Sequence, residues 1–382
     1  MFDAKLVEGS VKGFVPYQDG QNHLSATPLR ACAVPAGKRM MHPVSGRNSG
    51  MNSFERYMGM VRGGKVDLVP RVPILMHFAA RHIGASYADF ARDYRVLFEA
   101  NKRLVLDYDF EQLDIMSDPY RETSAFGGQV TYRESGVPRC TVPLENAKDL
   151  ALLAQPDPNG SERLKNALNC LDAFREFGYR RYSITGWVEG PAAEAADVRG
   201  VSNFLLDLIE DEAFACDLMD RCVEVAIDFA GAQLAHGCDT IGMGDAIASQ
   251  ISPSTYERLV APREKRIVDA IHAAGGLVRL HICGNVNHLI PIIAGVGADI
   301  LDCDWQVDMK RARRILGPKV TLTGNLDPVS AVMKSTPQKI HAAFRTIYEE
   351  VGNPYFVNAG CEIPGETPVE NLRAVCEPIE AK

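Results

Sequence analysis

Three side chains in this chain of 382 residues are competent to hold a metal ion. His281 and Cys283 stand in the run His-Ile-Cys-Gly, and Cys361 in Asn-Ala-Gly-Cys-Glu. Residues two apart in a strand face the same way, so His281 and Cys283 present their side chains together. Imidazole nitrogen and thiolate are both zinc ligands, and Gly284 lets the chain turn away directly afterwards. Taken singly, the His-x-Cys pair is more readily core packing than a metal site, and Cys361 alone reads equally as one more buried thiol. If the three meet at one place, they leave a fourth coordination position open, the pattern of a catalytic zinc. Structural zinc sites close with four protein ligands, often as paired Cys-x-x-Cys units, and this sequence contains no such unit.

The elements that must position these residues form a regular alternation from Asn52 onward, in which short apolar runs are followed by stretches of helical pattern. The runs are 71–77, 112–118, 181–189, 240–245, 278–283, 299–304, 320–325 and 355–361. Between them lie amphipathic stretches such as 256–274, where Leu259, Val260, Ile267, Val268 and Ile271 recur at helical spacing. Eight strand-then-helix units predict an α/β fold, a (β/α)₈ barrel, rather than a doubly wound sheet, since no Gly-x-Gly-x-x-Gly follows an early strand. Residues 126–144 break the alternation and read as an inserted hairpin, with turn signals at Gly127-Gly128 and Ser135-Gly136. Residues 1–51, rich in Gly, Pro, Ser and Asn, read as an N-terminal arm or a disordered leader, and the barrel is expected over 52–382.

Catalytic groups of such a barrel lie at the C-terminal ends of the strands. Here the ends carry His77, Asp118, Glu189, Asp245, His281 with Cys283, Asp304, Asn325 and Cys361. Polar residues mark where any strand stops, which accounts for each alone but not for a His and two Cys among them. Composition narrows the function classes. A net charge of −8 argues against a nucleic-acid surface, which needs a basic stripe. No apolar run reaches the ~18 residues of a membrane span. The N-terminus lacks the charged-then-apolar pattern of a secretory signal, so a cytoplasmic protein is expected, with its ten cysteines free, buried or metal-bound rather than bridged.

The segments His281–Asn285 (HICGN), Thr323–Pro328 (TGNLDP), Asn358–Asn371 (NAGCEIPGETPVEN) and Gly244–Arg263 resemble the uroporphyrinogen decarboxylase superfamily. Within it the chain is most similar to the zinc-dependent methyltransferases of corrinoid systems. The resemblance runs over roughly residues 52–380 and itself implies a (β/α)₈ barrel. The decarboxylase branch carries an arginine-rich segment after its first strand and a His in its last motif. This chain has His77-Phe-Ala-Ala-Arg81-His82 and Cys361 at those places, while Asp118, in Ser117-Asp118, does match that branch. The methyltransferase branch implies zinc on His281, Cys283 and Cys361.

What the resemblance implies is methyl transfer from a small methylated molecule, for example a methoxylated aromatic, to the Co(I) corrinoid of a separate carrier protein. The same zinc site serves the reverse transfer to a thiol such as coenzyme M or to a folate. A decarboxylase, and a binding protein with a structural zinc, are the remaining alternatives. A homodimer is what the family suggests. Glu189 is expected as fourth zinc ligand or proton donor, and Asp245 as a group orienting His281 or binding substrate. For both, the alternative is a helix N-cap just after the strand. Asp118 is a pocket residue, and His77, Asn325 and Trp187 are candidate substrate contacts.

Overall fold

The computed structural model describes residues 50–382, so the arm expected over 1–51 lies, but for its last two residues, outside the described residues. The main sheet has seven parallel strands. They are β1 (Gln112–Asp114), β4 (Ser183–Glu189), β5 (Thr240–Gly244), β6 (Leu277–Ile282), β7 (Ile300–Cys303), β8 (Thr321–Thr323) and β9 (Tyr355–Phe356), hydrogen-bonded in that order. The expected hairpin is present as antiparallel β2 (Val130–Thr131) and β3 (Arg139–Cys140).

The eighth expected strand, 71–77, is not a regular ladder strand. Pro70 and Pro73 lack the amide hydrogens a ladder needs, so the segment pairs at intervals only. On one side the Val357 amide donates to Pro70 and the Val72 amide to Val357, each at 2.8 Å. On the other, the Glu111 amide donates to Arg71 at 3.1 Å, one residue before β1. The segment therefore joins the last strand to the first and closes the barrel. It ends early, because His77 already opens the helix His77–His82.

The strands are shorter than the apolar runs that predict them, and nearly every strand residue is buried. Sheets covered by helices on the outside and filled by side chains within are expected to read this way. Helix Glu212–Ala235 is started by Asp211, whose carboxylate accepts from the Phe214 amide, and it packs on β4. The stretch 256–274 is helical as expected, but begins with a π-turn over Tyr256–Val260 before the regular helix Ala261–Ala273. Helix Ser53–Val61 opens with an Asn52–Glu55 capping box. Its Tyr57 ring lies 4.7 Å from Phe356, and its hydroxyl reaches Thr240 at the start of β5. That helix floors the N-terminal end of the barrel and leaves the C-terminal mouth for chemistry. No helix among the described residues is long and apolar enough to cross a membrane.

Candidate metal centre

His281, on β6, and Cys283, just past its end, do face the same way, and the chain turns at Gly284 with φ of 93°. Cys361 arrives from the loop after β9, preceded by Gly360. A Cβ at Gly360 would collide with the Trp305 backbone, so only glycine lets this loop lie against the end of β7. The three ligand atoms fall within 4.8 Å of one another. His281 Nε2 is 3.1 Å from Cys283 Sγ and 3.8 Å from Cys361 Sγ, and the two sulfurs are 3.7 Å apart. A tetrahedral zinc with bonds of ~2.3 Å to sulfur and ~2.0 Å to nitrogen spaces its ligand atoms by ~3.6–3.8 Å. Two of the three edges already match, and the third needs to open by a few tenths of an ångström. The donor set and spacing fit zinc.

Behind the imidazole stands a carboxylate that the sequence reading did not single out. Asp302 on β7 is in register with His281, and its Oδ2 lies 3.3 Å from His281 Nδ1. Arg279, two residues before His281 and fully buried, grips Asp302 at 2.6 and 2.9 Å and reaches Gln112 at 2.9 Å. Burial opposes charge on Asp302, but Arg279 and His281 outweigh it and bring its pKa to about 2. Burial likewise opposes charge on His281, yet Asp302 and Cys361 raise it to about 10. The two sulfurs shift each other in opposite directions. The hydrogen bond from Cys283, with His281 beside it, holds Cys361 well below the usual thiol range, and the same bond plus burial pushes Cys283 up. The site is thus poised as imidazolium and thiolate, with Nε2 turned to the sulfurs by the Asp302 contact on the other ring nitrogen.

A cavity of 180 Å³ opens above these ligands at the barrel mouth. One flank is apolar, with Ile74, Met76, Met116, Val188 and Trp187. The other carries Asp118, Arg121, Glu122 and Glu189. The indole nitrogen of Trp187 donates to Asp114 at 2.6 Å, and its ring stands edge-on to His281. Asp118 is clasped by Arg163 at 2.6 and 2.9 Å, and this pairing outweighs burial and holds its carboxyl below the usual range. Glu189, closing β4, accepts nothing from a cation. Burial first, then Glu122 and Asp197, push its pKa well up. Glu122, which accepts the Glu189 amide at 3.0 Å, is raised by burial to about 7. Behind it, Glu194 takes a hydrogen bond from Thr123 at 3.2 Å and leaves its other oxygen unpartnered.

The remaining expected residues lie outside the cavity wall. Asp245 is fully buried and accepts from the amides of Ala192 and Ala193 at 3.3 and 2.7 Å, so its side chain caps the helix Pro191–Arg199. Its backbone amide, not its carboxylate, holds His281, by donating to that carbonyl at 2.9 Å. The group facing the imidazole is Asp302 instead. The ring of His77 stacks on Tyr87 at 3.9 Å and meets Glu362 at 2.9 Å, which places it one residue behind Cys361. The amide of Asn325 is committed to the carbonyls of Asp304 and Val307. Sequence reasoning missed Asp302, Glu122, Arg163 and Arg279. The last had a signal, because Arg279, His281 and Cys283 alternate on one face. None of the nine described cysteines is in a disulfide.

A sequence model of the family described as Uroporphyrinogen decarboxylase (URO-D) matches residues 52–381. Methylcobamide:CoM methyltransferase MtbA of Methanosarcina mazei is 30% identical over 218 residues, which is 56% of this chain and 63% of that protein. Uroporphyrinogen decarboxylase of Psychromonas ingrahamii is 25% identical over 346 residues, 85% of this chain and 96% of that one. Among solved structures, a methyltransferase from Methanosarcina mazei superimposes with a TM-score of 0.78 at 22% identity, covering 85% of this chain and 97% of the other. At that identity the likeness establishes the shared barrel.

Proposed function

The chain belongs to the uroporphyrinogen decarboxylase family, and from that premise we propose that it is a zinc-dependent methyltransferase. It moves a methyl group from a small methylated substrate, such as a methoxylated aromatic, to the Co(I) corrinoid of a carrier protein that covers the barrel mouth. The observation that carries this function is the His281-Cys283-Cys361 cluster at the end of the cavity. Three soft ligands with a fourth position facing a substrate-sized space suit exchange chemistry better than a closed structural site. A tetrapyrrole decarboxylase, by contrast, needs cations for the many carboxylates of its substrate, and among the described residues Arg121 is the sole arginine or lysine on the cavity wall.

Zinc on these three ligands supplies Lewis acidity to the heteroatom that bears the methyl group. The rest falls to the chain itself. Asp302 and Arg279 fix the imidazole, and Trp187 with the two methionines holds the apolar part of the substrate against the ligand wall. As the methyl leaves, the heteroatom keeps the bonding electron pair and takes up a proton. Glu189 is the donor best placed for this, since it lines the cavity and burial, with Glu122 and Asp197 nearby, drives it toward its protonated form.

The reverse direction, from a methylated corrinoid to a thiol, has one observation in its favour, the similarity to the methylcobamide:CoM methyltransferase MtbA. Purified full-length protein decides the matter in two steps. Elemental analysis gives about one zinc per chain, sharply reduced in Cys361→Ala. Absorbance of a Co(I) corrinoid then follows methylation by a methoxyarene, or that of a methylated corrinoid follows demethylation by a thiol. A well-folded protein without zinc sinks the assignment.

A further inference from the structure

We propose that Arg121 is the counterion for a carboxylate carried by the methyl donor, so that the cavity takes a methoxylated aromatic acid; the inference rests on the methyl-transfer assignment of the same site. Six arginines among the described residues are buried, at positions 56, 71, 121, 163, 199 and 279. Five of them grip a carboxylate at 2.6–2.8 Å: Arg56 holds Asp67, Arg71 Glu111, Arg163 Asp118, Arg199 Asp207 and Arg279 Asp302. Arg121 is the exception, and it is also the one arginine on the cavity wall. Its Nη2 donates to the Ile115 carbonyl at 2.5 Å and to Ser117 Oγ at 2.9 Å, while Nε and Nη1 have no hydrogen-bond partner among the described residues.

A buried guanidinium without a counterion is costly, and the surrounding acids do not relieve that cost. Asp118 lies nearby but is taken by both terminal nitrogens of Arg163. Glu122 and Glu189 share the wall, yet burial drives both toward their neutral forms, in which a carboxyl donates a hydrogen bond to an anion. Burial is also the largest influence on Arg56, Arg71, Arg163 and Arg279, but there the paired carboxylates reverse it and raise the pKa. At Arg121 burial prevails over Asp118 and lowers it. A cation left unpaired on the wall of an open cavity is placed to take its partner from the ligand. One arginine matches one carboxylate. The 180 Å³ of the cavity has room for one substituted ring, since ~150 Å³ holds benzene. With its acid group on Arg121, such a ring leaves its methoxy group for His281, Cys283 and Cys361, which line the same cavity.

Isothermal titration calorimetry on the full-length protein compares 3-methoxybenzoate with 3-methoxybenzamide, which match in shape and differ in charge. The acid is expected to bind at least ~10-fold tighter, the usual scale of a hydrogen bond to a charged group. Equal binding, or tighter binding of the amide, overturns the proposal. Arg121→Gln, checked for a native circular dichroism spectrum, should erase the preference, and a preference that survives in it means that the charge comes from elsewhere. Crystals of the wild-type protein grown with 3-methoxybenzoate give an answer that does not depend on how the variant folds. They should place the carboxylate at ~3 Å from the Arg121 guanidinium, and a carboxylate seated anywhere else overturns the assignment. Repeating the wild-type titrations after metal removal separates the two ideas. A preference set by Arg121 persists without metal, whereas one that disappears comes from coordination and sinks the inference. Binding of the acid with this preference, but no methyl transfer from it to a Co(I) corrinoid, defeats the methyl-transfer assignment and leaves the Arg121 subsite standing.

Discussion

The two polar walls of the mouth are equally deep yet hold opposite protonation states. On the β6 side, His281, Cys361 and Asp302 are all driven toward their charged forms. On the β4 side, Glu189, Glu122 and Glu194 are all driven toward their neutral forms. Burial disfavours charge on both walls. What differs is Arg279, a fully buried guanidinium locked to Asp302, which lets charge propagate along Asp302, His281 and Cys361. The acidic wall has no such cation and keeps its protons instead. One wall is thereby suited to hold a metal and the other to give up a proton.

Removing a ligand from the charged wall should have the largest effect. Cys361→Ala is expected to lose most of its zinc and ~10³-fold in methyl transfer, about 4 kcal/mol of transition-state stabilisation, read by elemental analysis and corrinoid absorbance. Full zinc in this variant would detach Cys361 from the site.

Asp302→Ala strikes the support of that wall rather than its ligands. It strands Arg279 as an unpaired buried charge, so a stability loss of roughly 3–5 kcal/mol is expected by denaturant unfolding. Zinc affinity should fall ~10–100-fold. Wild-type stability would mean that water or another acid neutralises Arg279.

The acidic wall should answer differently. Glu189→Gln replaces a carboxyl that burial and neighbouring acids drive toward its neutral form, so folding stability near neutral pH should change by only ~0.5 kcal/mol. Methyl transfer should nonetheless drop ~10²-fold if Glu189 donates the proton. Loss of stability together with activity would show that Glu189 is ionised and the contrast between the walls false.

The smallest effect is a pH slope. Glu122 has a folded pKa of about 7, above the ~4.3 of an unfolded glutamate. The raised value means the folded state holds the proton more tightly. Its contribution is complete below about pH 4 and is lost as pH rises through 7. Thermal melts from pH 5 to 8 should therefore fall less steeply for Glu122→Gln than for wild type, and parallel slopes would refute the assignment.

Much of this was legible in the chain. The alternation of apolar runs gives the barrel, and the 126–144 hairpin shows in its glycines. His281 and Cys283 share a face because strand geometry leaves no alternative. The first strand was overestimated because its apolar run contains Pro73 and follows Pro70, and the missing amides of these two prolines spoil the ladder. Asp245 illustrates a different limit. Its position after β5 marks it as a helix cap, but the helix it caps belongs to the preceding β4 unit, Pro191–Arg199, a partner that local spacing does not name.

By itself the sequence determined the fold class, the strand that carries His281 and leads into Cys283, and the residue types able to bind zinc, since these follow from local periodicity and side-chain chemistry. Tertiary structure decided which groups act on one another. The register of β6 against β7 sets Asp302 behind His281, the tight loop at Gly360 delivers Cys361 across 78 residues of chain, and the arginines' choice of partners leaves Glu189 without a cation. Electrostatic coupling in a buried site depends on distances of a few ångströms between segments far apart in the chain, and no local pattern encodes those distances.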